Sequence, residues 1–460
     1  MAGQNNPHGI GAKIVSWWRG HIAVVPMMFI VATIVGGLSG ACAHLLKLSE
    51  AWVSDILTSG LHASELNWPL LLFPAAGLVL TGVMCRYLFR HNLSHGVRRL
   101  MGNLRRKDYA MRPVQIISPM VASTVTLGFG GSAGSEGPIA CTGAAIGGNF
   151  ARWFGFTPAQ VKVMICCGAG AGIAGIFKAP LGGALFTLEV LRVPLGTIEV
   201  LMLLVSTITA GMTAYALSGF STDVTVTDIT AFDPRLFWAM VALGVFCGFY
   251  SLYYSYVMKL IERLLVRIRS PWIVNLAGGA ILSVCVFLFP ALYGEGYGVI
   301  GHVVNGDFAS LSRDGLMAND LSGTGALAVL CLCVVALKCF ATSATNSGGG
   351  VSGDFAPALF AGCVAGLLFA IASEALWGIK LPAGQCAIYA MAGVMAGAIR
   401  APLMAIVLTT EMLDIYSYFF PVMIVAALSF GIVRLFTLDG YFARHLDRKN
   451  GLLSILFHKR

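Results

Sequence analysis

Apolar residues along this chain fall into two kinds of run. Those at about 21–48, 68–90, 196–219, 236–258, 272–294, 325–342 and 417–438 are long and scarcely interrupted. A helix crossing a bilayer needs roughly 20 such residues, so these runs predict full membrane spans. Segments near 114–127, 139–151, 158–176, 180–192, 355–376, 382–399 and 401–413 are shorter or broken by Gly and Pro. Lipid offers no partner to a freed backbone group, so broken helices survive only inside protein or along a polar cavity. The pattern predicts an all-α polytopic membrane protein with interrupted helices around a site near the midplane.

The broken segments repeat. AGIFKAPLGGALFTLEVL from Ala174 matches AGAIRAPLMAIVLTTEML from Ala396, pairing Lys178 with Arg400, Pro180 with Pro402 and Glu189 with Glu411 at a constant offset of 222. Gly134, Pro138, Gly143 and Gly147 match Gly353, Pro357, Gly362 and Gly366 at an offset of 219. Two near-equal offsets in the same order divide the chain into two related halves, as transport folds often are. The expected organisation is an N-terminal segment (1–20), a first repeat (21–219), a linker (220–235), a second repeat (236–438) and a C-terminal tail (439–460). The repeat alone leaves open whether the halves run parallel or inverted.

Composition sharpens the class. The 460 residues are 57% hydrophobic and 11% charged, against about a quarter charged in soluble domains. The excess of 30 Lys and Arg over 21 Asp and Glu does not point to nucleic acid, because the basic residues cluster in connections. They crowd 86–112, then 259–269, then the tail after Arg444, and the positive-inside rule places these regions and both termini in the cytoplasm. The acidic stretch FSTDVTVTDITAFDP at 220–234 is expected outside. The lipid bilayer is thus a partner, and the expected location is the inner (plasma) membrane. The 12 cysteines and 9 histidines show no metal-ligand spacing and no HExxH, so neither metal nor cofactor is expected. A membrane enzyme would need a nucleophile–base pair or metal cluster, and no such grouping is visible.

The stretch GFGGSAGSEGPIACTGAAIGGNF at 128–150 carries the candidate chemistry. Glycines precede a single acid, Glu136, and Pro138 marks a helix start. Free N–H groups and the dipole make a helix N-terminus an anion site, and a carboxylate at that spot can occupy the site itself. An acid inside a membrane is functional by default. In the second half GSEGP aligns with GDFAP, so Phe355 stands where Glu136 does. Lys178 and Arg400 read either as cations lining a pathway or as cytoplasmic-end anchors, with anchoring preferred, and Glu189 and Glu411 as structural partners.

At these residues the sequence resembles the CLC family of chloride channels and chloride/proton antiporters. GSEGP at 134–138 is similar to its GxEGP motif, GDFAP at 353–357 to its GxFxP, and KAPLGGALFTLEV and RAPLMAIVLTTEM to its two APL segments. The resemblance runs from about residue 20 to 451. It implies a CLC-type fold of two inverted halves and a homodimer with a separate anion pathway in each subunit. Glu136 would be the gating carboxylate. Gly134, Ser135, Gly137, Gly353, Asp354, Phe355 and Ala356 would line the anion site, and chloride, other small anions and protons would be its partners.

The departures matter as much. The family's GSGIP motif finds only Ser94, His95 and Gly96, followed by Val97 and Arg98, so His95 stands where serine belongs. The C-terminal tyrosine aligns best with Phe442, beside Tyr441. The proton-coupled members carry a pair of acids where this chain has Glu189 and Val190, so the second acid is absent. That absence favours passive or weakly coupled, channel-like conduction gated by Glu136. The alternative is a chloride/proton antiporter whose inner proton step uses Glu189, His95 or water.

Overall fold

The computed structural model describes residues 23–59, 67–90, 93, 96–227, 232–311 and 323–437. The first half contains α1 (Val24–Thr58), α2 (Pro69–Val83), α3 (Gly96–Arg105), α4 (Ser118–Gly128), α5 (Glu136–Trp153), α6 (Pro158–Phe177), α7 (Pro180–Leu185) and α8 (Thr197–Leu217). The second contains α9 (Phe237–Val266), α10 (Pro271–Leu288), α11 (Tyr297–Val304), α12 (Thr324–Ser347), α13 (Phe355–Trp377), α14 (Ala383–Ile399), α15 (Pro402–Met412) and α16 (Phe419–Phe436). Nine helices among the described residues are long and apolar enough to cross a membrane. Five of the sixteen open on proline, which fits a first turn whose N–H has no helical partner anyway,.

The repeated glycines are contact points. A Cβ on Gly143 or Gly147 of α5 would lie 2.0 Å from a carbonyl oxygen of α6, that of Gly168 or Met164. Their counterparts Gly362 and Gly366 of α13 would meet the Ala390 and Cys386 carbonyls of α14 at 2.5 and 2.2 Å. Each half is thus built on a helix pair whose backbones touch, a packing that only glycine permits. The same sequence positions make the same contact twice.

The halves are inverted. Lys178 and Arg400 occupy matching left-handed caps at the C-termini of α6 and α14, with φ of 54° and 63°. Lys178 donates to the Ser221 carbonyl at 2.7 Å and to Asp223 at 2.8 Å, in the acidic connection between the halves. Arg400 instead lies near Lys259, at the end that carries the Arg98–Glu262 ion pair of 3.0 Å. Equivalent residues therefore mark opposite ends of the molecule. Lys178 does anchor a loop, but not at the basic end: the inversion carries it to the other one.

Two further contacts tie the halves across the approximate two-fold axis. Glu411 accepts from the Leu181 and Gly182 amides at 3.1 and 2.8 Å, capping α7. Glu189 accepts from the Leu403 and Met404 amides at 3.3 and 2.7 Å, capping α15. Each carboxylate satisfies orphan donors at the helix start of the other half, where the dipole favours negative charge.

Four elements differ from the sequence reading. Helices α1 and α9 run past their apolar cores to Thr58 and Val266, because Glu50, Lys259, Glu262 and Arg263 are acceptable helix residues that extend the turn,. The basic connection contains α3, which buries Leu100 and Leu104 one turn apart and leaves Arg98 and Arg105 exposed and Arg99 half-buried,. Within 272–294 the helix stops at Leu288 before Pro290, and the short α11 follows.

Candidate anion site

Residues 129–135 form a glycine loop between α4 and α5, and this junction is held by polar contacts from the second half. Tyr293 donates its hydroxyl to the Gly128 carbonyl at 2.6 Å, and Thr345 accepts from the Ser132 amide at 3.1 Å. Gly130 has φ of 95°, and a Cβ there would meet the Tyr293 ring at 2.6 Å. The loop then pairs with its repeat. The Gly134 amide donates to the Gly353 carbonyl at 3.1 Å, and the Gly353 amide returns a bond of 2.6 Å to the Gly134 carbonyl. This reciprocal bridge sets the N-termini of α5 and α13 against each other.

Glu136 stands at that junction, the first residue of α5 and 1% exposed. Its Oε1 accepts from the Ala356 amide of α13 at 2.5 Å. Its Oε2 is buried with no hydrogen-bond partner among the described residues. The cradle is glycine by necessity, since a Cβ on Gly137 would lie 2.7 Å from the Ser352 carbonyl. Phe355 closes one wall, its ring set edge-on to Phe186 with centroids 5.8 Å apart. A carboxylate thus holds the helix-start amide that an anion would otherwise bind.

Toward the basic end a cavity of about 220 Å³ begins at Glu136 and Gly137 and is walled by Gly96, Arg98, Val190, Asp354 and Phe355. A second cavity of about 120 Å³, lined by Arg98, Lys259 and Glu262, shares Asn346, Asp354 and Ile399 with it. Asp354 accepts from the Asn346 amide group, and Asn346 in turn accepts from the Ser352 hydroxyl. The charge beside Phe355 is therefore held by a side-chain relay on the cavity wall.

The sequence-predicted residues Gly134, Ser135, Glu136, Gly137, Gly353, Asp354, Phe355 and Ala356 all converge here. Gly96 starts α3 and reaches the same cavity, with a Cβ position 2.7 Å from Cys141 Sγ. Val190 reaches it as well, whereas Glu189 is turned to the α15 cap. Ser94, His95, Tyr441 and Phe442 lie outside the described residues.

Three charged groups near Glu136 were not singled out from sequence. Glu295 accepts from the Ser135 amide at 2.7 Å and from the Ser135 hydroxyl at 2.6 Å. Glu50 of α1 is buried and accepts from Ser123 at 2.9 Å. Lys338 of α12 is 0% exposed, donates to Ser132 at 2.9 Å and lies over the Phe360 ring. A lysine within the apolar run 325–342 was a readable signal, because such a residue is costly unless it serves the site. Glu295 gave no such signal, as GEGYG reads as a turn.

Comparison with known proteins agrees with this geometry. The family model described as "Voltage gated chloride channel" matches residues 76–434. The chain belongs to the CLC family. It is 27% identical over 393 residues to the putative chloride channel protein ClcB-like of Ralstonia nicotianae, covering 83% of this chain and 86% of that one. It is 28% identical over 419 residues to the H(+)/Cl(-) exchange transporter ClcA of Salmonella typhi, covering 86% and 82%. Among solved structures, a slow cyanobacterial Cl-/H+ antiporter superposes with a TM-score of 0.73 at 22% identity, covering 92% of this chain and 97% of that one. A CLC-type fluoride/proton antiporter gives 0.71 at 20% identity, covering 90% and 97%. At these identities the structural matches speak for the fold, which is that of the CLC transporters.

Proposed function

We propose that this CLC protein exchanges chloride for protons, with Glu136 as both gate and proton carrier. The observation that carries the reading is the carboxylate on the Ala356 amide. Ionised, it fills the anion's place between the two helix starts. Protonated, it is no longer an anion and yields that place, so a proton in one direction and a halide in the other use one position. Partial charges from backbone amides hold an anion loosely enough for throughput, which a full cation would not. Similarity to proteins named as H(+)/Cl(-) exchange transporters moves the balance from channel-like conduction to exchange.

The missing acid at Val190 is the observation that favours the channel-like reading. The 220 Å³ cavity answers it: Val190 and Glu136 line the same space, so water there could carry a proton past an apolar residue. In this reading the basic end is cytoplasmic, with both termini there, in the inner membrane. The two halves of the chain bring both helix starts together, which supports one pathway per chain, and a homodimer would carry two.

The test is flux in vesicles reconstituted with the full chain. A chloride gradient should drive protons uphill in the wild type, and Glu136→Gln should pass chloride with no proton movement. Proton pumping that survives Glu136→Gln would remove that residue from the exchange. A wild type that passes chloride without moving protons would restore the channel-like reading.

A further inference from the structure

Glu136 is not the only carboxylate on this helix start. The turn Gly294–Glu295–Gly296 precedes α11, and both glycines are left-handed, with φ of 65° and 88°. A Cβ on Gly296 would lie 2.4 Å from the Phe360 ring, so the turn is pressed against α13. Few other residues tolerate that backbone, and Glu295 is thereby held over Ser135. Serine before a helix usually accepts from the helix's own amides. Here Ser135 makes no such cap, and its hydroxyl and amide both donate to one oxygen of Glu295.

The two acids take adjoining donors. Glu136 holds the Ala356 amide of α13, and Glu295 holds the Ser135 amide of α5. Glu136 is sealed inside, whereas Glu295 is half-buried. Glu295 also lies toward the end that carries the acidic connection, because α11 is followed by Asn305, which accepts from the Thr227 amide at 2.8 Å. The groups that interact with its charge are Glu50 of α1, Glu136 of α5, Tyr297 of α11 and Lys338 of α12. Lys338 is the cation among them, acting on Glu295 and Glu136, and farther out Lys47 lies 5.0 Å from the Tyr297 ring centroid.

We propose that Glu295 is a second gate in series with Glu136, occupying the outer anion position at Ser135 until it is protonated. The proposal rests on the reading of Glu136 as the inner gate. Ionised Glu295 makes charge-assisted bonds that a halide arriving from the acidic-connection side must replace, and it repels that halide as well. A proton on Glu295 ends both effects. Anion entry from that side then depends on the pH of that side even when Glu136 carries no charge.

The experiment uses the full chain in planar bilayers, with the pH of each side set separately and anion current as the readout. In Glu136→Gln, current should still rise as the pH on the acidic-connection side falls. In the double variant Glu136→Gln/Glu295→Gln, current near neutral pH should rise about tenfold or more, as expected for loss of a hydrogen bond to a charged group, and its dependence on that pH should vanish. Glu136→Gln/Glu295→Ala should behave alike, and a single symmetric peak in size-exclusion chromatography checks that both variants fold. A Glu136→Gln current indifferent to that pH, or one whose dependence survives both Glu295 changes, overturns the proposal. Loss of proton pumping in Glu136→Gln is scored separately and bears only on the inner gate.

Discussion

A Cβ placed on Gly353 would lie 2.4 Å from Oε2 of Glu136 and 2.8 Å from the Gly137 amide nitrogen. The glycine of one half thus sets how far the Glu136 carboxylate of the other can sink. Gly353→Ala should push the carboxylate off the Ala356 amide, at a strain of roughly 1–3 kcal/mol typical of overpacking. The expected outcome is chloride flux that is faster at neutral pH and less tightly tied to protons, measured in vesicles. Unchanged flux and coupling would mean that Glu136 does not need that space.

The crossed caps give a second expectation. Glu411→Ala strips the Leu181 and Gly182 amides of their acceptor, and Glu189→Ala does the same to Leu403 and Met404. Each should cost about 0.5–2 kcal/mol, the usual cost of losing a cap. Thermal unfolding in detergent should show similar losses for the two. Proton coupling should persist in Glu189→Ala, and its disappearance would make Glu189 a proton carrier after all.

Asp354 lies on the wall of the cavity that begins at Glu136, beside the path proposed for the anion. Asp354→Asn keeps an oxygen for Asn346 to donate to and removes the charge. In a water-filled cavity a charge some 4 Å away is worth about 1 kcal/mol. Anion current from the basic side should therefore rise about fivefold, which single-channel or bilayer recording can check in the Glu136→Gln background.

At the opposite end Asp223 pairs with Lys47 and Lys178. Burial works to raise its carboxyl, but the two lysines outweigh burial and hold it below the usual aspartate range. A lowered folded-state value means that the clamp contributes stability at neutral pH and loses it as pH falls through that lowered value. Asp223→Asn should cost roughly 1–3 kcal/mol, between an exposed and a buried pair. Its unfolding temperature should approach that of the wild type in strong acid.

The fold was legible because it is written twice. Gly143 and Gly147 recur as Gly362 and Gly366, and touching backbones demand glycine in both halves. Glu136 was legible as a candidate because an acid amid small residues stands out. Contacts without a local signature were not. Glu295 meets Ser135 across 160 residues, and nothing in GEGYG says which amide it will find. Lys178 was read as a cytoplasmic-end anchor but holds the acidic connection instead, since its end of the molecule follows from the inversion and not from its neighbours. Helix α3 was hidden by its arginines, with Leu100 and Leu104 too sparse an apolar stripe to outweigh them.

The reciprocal bridge between Gly134 and Gly353 has a consequence for how the protein can be divided. Neither fragment of a chain severed between α8 and α9 possesses a halide crevice, because each brings only one lip of it. Supplied together, the two fragments retain every described bond at that seam, and transport should return only when both are present.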